Sequence, residues 1–180
     1  EDTLFDLASL TKVVATTPCV MLLVEKERIK LDAPAGKYIP EFTGDGRDRI
    51  TVRHLLTHTS GLKPSLSVKE PWSGHDRGIK MACASVPDKA PDEQFRYSDI
   101  NFILLGEIVH RVSGEPLDEF ARKHVFEPLQ MRDTAFKPAA TLRRRIAPTE
   151  RDENKTMLRG VVHDPASRRM GGVAGHAGLF

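Results

Sequence analysis

Ser9 and Lys12 stand three residues apart at the head of an apolar stretch that runs through Val13, Val14, Val20, Met21, Leu22, Leu23 and Val24. Read as a buried helix, that stretch sets the two side chains on one face with Cβ atoms about 5–6 Å apart, so the amine can reach the hydroxyl. A desolvated lysine beside a serine is a base beside a nucleophile. A serine in the first helical turn also lies where the helix dipole and unpaired N–H groups favour the negative charge of acyl transfer. The competing reading makes Ser9 a helix cap and leaves Lys12 in solvent.

The spacing alone is weak evidence, since average composition gives a Ser-x-x-Lys about once in every two chains of this length. Ser60-Gly61-Leu62-Lys63 is a second instance. Gly61 inside it and Pro64 after it prevent a helix from starting there, which leaves its two side chains without a fixed relation. A further group, Tyr97-Ser98-Asp99, stands before another apolar segment. A tyrosine hydroxyl aimed at a Ser-Lys pair can relay protons, because a neighbouring ammonium favours the phenolate. Without such a pair, Tyr97 is a helix-flanking aromatic.

The remaining reactive side chains read as structural. His54 and His58 have a zinc-compatible spacing, but no glutamate follows His54 and no third ligand is evident, so hydrogen bonding in the fold is favoured. His163-Asp164 before Pro165 reads as a turn-stabilising pair rather than a catalytic dyad. Trp72 lies in a long loop, where it either lines a substrate cleft or pins the loop to the core. Cys19 and Cys83 are far apart in apolar surroundings and read as buried free thiols.

The elements that must position these groups can be read from punctuation and period. Glu25 to Lys30 ends the first helix, and residues 31–40 form an irregular connector. Thr51 is an N-cap for a short helix through Val52, Leu55 and Leu56. Residues 62–78, with Pro64, Pro71, Gly74 and Gly78, read as a surface loop of the kind that carries binding residues. Ile79–Ala84 is a short helix closed by Pro87. Ile100, Ile103, Leu104, Ile108 and Val112 mark a second core helix stopped by Gly114. Pro116 opens a third, amphipathic segment through Leu117, Phe120, Ala121 and Val125 that ends before Pro128. Leu142–Ile146 is a helical turn and Leu158–Val162 a strand. Glycines 171, 172, 175 and 178 require a backbone that turns sharply or passes close to a neighbour.

At 180 residues the chain has room for one domain or a large piece of one, and its abrupt ends read as a partial domain spanning 1–180, truncated at both ends. A net charge of +2 with 29% charged residues gives no electrostatic case for nucleic acid. No uninterrupted apolar run reaches the length of a membrane span.

The segment Phe5-Asp6-Leu7-Ala8-Ser9-Leu10-Thr11-Lys12 resembles the nucleophile region of the serine β-lactamase and penicillin-binding-protein superfamily, in the branch of class C β-lactamases, D-alanyl-D-alanine carboxypeptidases and esterases. Residues 54–62 are similar to a stretch between that family's first and second motifs, and Tyr97-Ser98-Asp99 falls where the branch has Tyr-x-Asn. Residues 126–134 resemble its "PLGM-x-x-T" turn, with Gln130 in place of glycine. Residues 172–180 resemble its glycine-rich segment.

The resemblance implies an α/β, β-lactamase-like serine hydrolase fold, of which this chain is mainly the helical part with the flanking sheet strands missing. It makes Ser9 the nucleophile of an acyl-enzyme, with Lys12 and Tyr97 moving its proton and the Ser9 N–H forming half of an oxyanion hole. The motif that supplies the other half is missing, since His176-Ala177-Gly178 matches the glycine-rich segment instead. Substrates would be small esters, β-lactams or D-alanyl peptides, bound with help from Asp99 and Trp72, with no metal or organic cofactor and a bacterial envelope or periplasmic location. Asp99, where asparagine is usual, can accept but not donate when ionised. It would hold Lys12 charged or share its proton, which counts against penicillins and keeps open a silent sensor of cell-wall fragments or peptides. Asn101 is two residues out of register to replace the lost donor.

Overall fold

The computed structural model describes residues 2–152 and 154–180. Its centre is α4 (Asp99–Ser113), in which every residue from Ile100 to Val109 is buried. A helix apolar nearly all round is a core element, and helices α1 (Thr17–Glu25), α2 (Val52–Leu56), α3 (His75–Cys83) and α5 (Leu117–Ala121) all pack against it. The short α6 (Pro165–Arg169) packs on α3. Among the described residues the β-structure consists of isolated bridges, including Leu4 with Ile146 and Phe136 with Leu179.

Local chemistry sets the ends of these elements. The Ser98 hydroxyl caps α4 by accepting from the Asn101 N–H, and Gly114, at φ 83°, ends it. Thr51 caps α2 by accepting from the His54 N–H, while the His54 ring accepts the Thr51 N–H in return. That reciprocal pair is a capping box with histidine in the glutamate role. Helix α3 begins at His75, earlier than the residue 79 expected from sequence. Gly78 is tolerated within it because Met170 packs where a side chain would stand, with a built Cβ only 2.7 Å from Met170 Cγ.

The first helix is not the uniform α-helix that the apolar pattern implies. It runs from a 3₁₀ turn at Ala8–Leu10 through a π-helical turn at Lys12–Thr16 into α1. Pro18 has no N–H to give and crowds the carbonyl four residues back. The run widens just before it, with the Thr17 N–H donating to the Lys12 carbonyl. By length and composition Ala8–Glu25 could cross a membrane. Thr11, Lys12, Thr16, Pro18 and other non-apolar residues interrupt it, however, and its buried side, with Ala15, Cys19, Val20 and Leu23, belongs to the main core.

The expected strand at Leu158–Val162 is absent. Instead Leu158 exchanges backbone hydrogen bonds with Thr149 and Glu150 at the base of a loop, beside a single bridge between Arg151 and Met157. The expected turn near 142–146 is a 3₁₀ turn at Ala140–Arg145. Cys19 and Cys83 are buried free thiols, and burial pushes them up to about 12 and about 11.

Candidate active site

Ser9 lies in the 3₁₀ turn and Lys12 opens the π-helical turn that follows, so the pair bridges the junction of two helix types. Lys12 Nζ lies 3.0 Å from Ser9 Oγ. Ser9 is exposed, whereas Lys12 is only 3% accessible. The turn enters through Ala8 in the left-handed region, at φ 45°, a conformation that costs a non-glycine residue about 1–2 kcal/mol. Asp6 holds it there, accepting the Ala8 N–H on one oxygen and the His163 N–H on the other.

Two more oxygens surround the amine. The His176 carbonyl accepts from Nζ at 3.0 Å, and Asp99 Oδ1 stands 2.7 Å away. The Asp99 contact is Coulombic, since its angle is outside the hydrogen-bonding range and Oδ1 has no aligned donor. The ammonium also lies over the Tyr97 ring, 4.8 Å from its centroid, and 5.8 Å from that of Phe102. Ser9, Lys12 and Tyr97 line one open cleft of about 590 Å³ with Leu10, Val13, His58 and Phe102. A more enclosed hollow of about 350 Å³, between α3, α4 and α5, is lined by none of Ser9, Lys12, Tyr97 or Asp99.

His58 supports the tyrosine. Its ring stacks on Tyr97 at 4.5 Å between centroids, and its Nδ1 accepts the Ser98 N–H at 3.1 Å. An accepting Nδ1 leaves the proton of a neutral ring on Nε2. Burial, and then the Lys12 charge, hold the imidazole below its ordinary pKa, against the opposing pull of Asp99.

Other candidates have structural partners. Asn101 is buried and accepts from the buried Ser60 hydroxyl, and neither these two nor Lys63 is among the residues lining the cleft. His54 Nε2 meets Asp92 at 2.9 Å, away from His58. Trp72 is not among the cleft-lining residues. Its Nε1 donates to the Ser67 carbonyl within its own loop, and the Arg169 guanidinium lies over its ring, 5.7 Å from the centroid.

The glycine-rich segment forms the inner wall of the site. Thr16 donates to the Gly175 carbonyl, the Leu179 N–H donates to Thr11, and the Leu7 N–H donates to the Leu179 carbonyl. Gly175 is obligatory, because a Cβ there would stand 1.9 Å from the Phe102 carbonyl oxygen. The sequence reading missed the partner of Asp164, which is His176 at 2.7 Å rather than His163. Asp164 also caps α6 through the Ser167 N–H, and Asp-Pro at a helix start was the available signal. Asp99, Asp164 and His176 bring ligand-type atoms within 4.8 Å of one another. The Lys12 amine already occupies the space beside Asp99, so this donor set does not argue for a metal.

A family model described as Beta-lactamase matches residues 1–180. The chain is 33% identical over 206 residues to a provisionally named D-alanyl-D-alanine carboxypeptidase of Escherichia coli strain K12, an alignment covering 99% of this chain and 48% of that protein. It is equally identical to an N-acetylmuramyl-L-alanine amidase of Bacillus subtilis strain 168, covering 99% and 47%. Among solved structures, FmtA from Staphylococcus aureus superposes with a TM-score of 0.81 at 22% identity, over 99% of this chain and 48% of FmtA. A class C beta-lactamase from Rhodobacter sphaeroides superposes at 0.76 and 23%, over 99% and 48%. The chain thus spans about half the length of the curated relatives it matches. The β-lactamase-like fold is the one expected from the sequence, here in a mostly helical part.

Proposed function

The chain belongs to the Beta-lactamase family, and from that premise we propose that it carries the nucleophile of a serine hydrolase that cleaves an ester or amide bond through an acyl-enzyme on Ser9. The observation that carries this reading is the 3.0 Å contact between an exposed Ser9 Oγ and a buried Lys12 Nζ. With Lys12 neutral, its lone pair takes the Ser9 proton as Oγ bonds to the substrate carbonyl carbon. The proton then passes to the leaving group, by way of Lys12 and the Tyr97 phenol, as the scissile bond breaks. Water adds to the ester and releases acid and free Ser9. Side chains handle every proton in this sequence, so the reading calls for no cofactor.

The relatives' names describe a D-alanyl-D-alanine carboxypeptidase and a muramyl-alanine amidase, and we carry that amide chemistry to this chain as cell-wall peptide substrates in a bacterial envelope. Simple esters fit the same steps. Penicillins fit less well, because Asp99 offers no donor in its ionised form and faces Lys12. A fluorophosphonate probe on the intact protein tests the reading. Covalent labelling that disappears in Ser9→Ala supports it, and reversible ligand binding without labelling supports a sensor instead.

A further inference from the structure

His176 is the most deeply buried ionisable side chain beside the Ser9–Lys12 pair that the steps above leave unused. It is 1% accessible, its Nε2 lies 2.7 Å from Asp164 Oδ1, and its carbonyl accepts from Lys12 Nζ at 3.0 Å. The carbonyl's segment is held on its far side as well, because Ser167, whose N–H Asp164 caps, donates its hydroxyl to the Ala177 carbonyl at 2.7 Å.

A lysine acting as a base has two N–H bonds and one lone pair. The three oxygens around Nζ must divide these directions between them. For the lone pair to face the Ser9 hydroxyl, the two N–H bonds must turn to the other two oxygens. Asp99 meets the amine off-axis, so the aligned His176 carbonyl is the acceptor that fixes its rotation. A backbone carbonyl holds its place only as firmly as its segment is anchored, and here one anchor is a charge-assisted bond. Burial pushes the Asp164 carboxyl up, but the His176 hydrogen bond and charge, the Ser167 N–H and Lys12 together bring it below its ordinary value, so it is ionised at neutral pH.

We propose that His176 and Asp164 form a positioning pair for Lys12, locking the carbonyl that aims the amine's lone pair at Ser9. The inference rests on the reading of Ser9 as nucleophile and adds two residues that never touch substrate.

The test uses the intact protein and a fluorophosphonate probe, measuring the first-order labelling constant, the half-saturating probe concentration and the fraction labelled. His176→Leu should lower the labelling constant about 100-fold, the scale of a misaligned reacting group, without changing half-saturation. His176→Gln, whose amide can still donate to Asp164, should recover most of that loss. Asp164→Asn keeps the α6 cap and should cost about tenfold, the lower end for a supporting hydrogen bond in a site. Irreversibly unfolded molecules would lower the fraction labelled and leave the constant of the folded molecules intact. A wild-type constant in His176→Leu, or a His176→Gln as slow as His176→Leu, overturns the proposal while Ser9-dependent labelling leaves the hydrolase reading standing. Labelling that survives Ser9→Ala removes both.

Discussion

Lys12 Nζ lies closer to Asp99 Oδ1, at 2.7 Å, than to Ser9 Oγ, at 3.0 Å. A carboxylate therefore engages the amine at the position where the Tyr-x-Asn motif that residues 97–99 resemble has an asparagine. An ionised carboxylate accepts hydrogen bonds but donates none, so it offers nothing to a substrate carbonyl.

Asp99→Asn removes that charge and supplies an N–H donor. Labelling by a fluorescent penicillin should accelerate about tenfold or more, equivalent to about 1.4 kcal/mol of transition-state stabilisation. An unchanged or slower rate would show that Asp99 does not limit β-lactam acylation.

Lys12→Arg keeps a cation beside Asp99 but gives up the base, since guanidinium does not deprotonate in proteins. Ester hydrolysis should fall by about 10²–10⁴-fold, the usual contribution of a general base. Comparable activity in Lys12→Arg and wild type, measured with p-nitrophenyl acetate, would assign the base to another group.

Acidification should destabilise the fold in two separate steps. His58 has a lowered folded-state pKa, so below the unfolded value of about 6.5 the unfolded chain binds a proton that the native one resists. Stability is therefore lost as pH falls from 6.5 toward the folded value. Asp164, also lowered, contributes stability that is full above its unfolded value and lost as pH drops below it. Thermal melts should show a midpoint about 2–4 °C lower at pH 5 than at pH 7 for each kcal/mol involved. His58→Asn, which can still accept from Ser98, should flatten the first step.

Gln130 occupies φ 57° where the resembling turn has glycine. Gln130→Gly should raise stability by about 0.5–1 kcal/mol, the left-handed penalty less glycine's greater unfolded entropy. A urea midpoint that falls would contradict this account of the turn.

Gly175→Ala places a methyl 1.9 Å from the Phe102 carbonyl oxygen. The segment must move off α4, at about 1–3 kcal/mol, and the His176 carbonyl moves with it. Melting temperature and labelling rate should both drop, whereas Gly171→Ala, strained by its φ of 90° but with nothing within 4 Å of its Cβ, should lower the melting temperature and slow labelling much less.

The core helices were legible because α4 and the 117–125 segment carry their own stop signals, in Gly114 and Pro128. The nucleophile pair was legible from spacing, although the 3₁₀ and π geometry around it was not, since no apolar period distinguishes these from an α-helix. Leu158–Val162 looked like a strand because a short apolar run has no partner written beside it. The Asp164–His176 bond spans 12 residues through a helix and a turn, and the contact of His176 with Lys12 spans 164. Neither follows from local pattern.

The central claim is that Ser9 carries the acyl group, and peptide mapping by mass spectrometry of the intact protein after brief exposure to p-nitrophenyl acetate tests it most directly. The account predicts one acetyl group on the peptide containing Ser9, decaying with time and absent in Ser9→Ala. An acetyl group on any other residue that turns over at the hydrolysis rate, or hydrolysis that persists undiminished in Ser9→Ala, would contradict it.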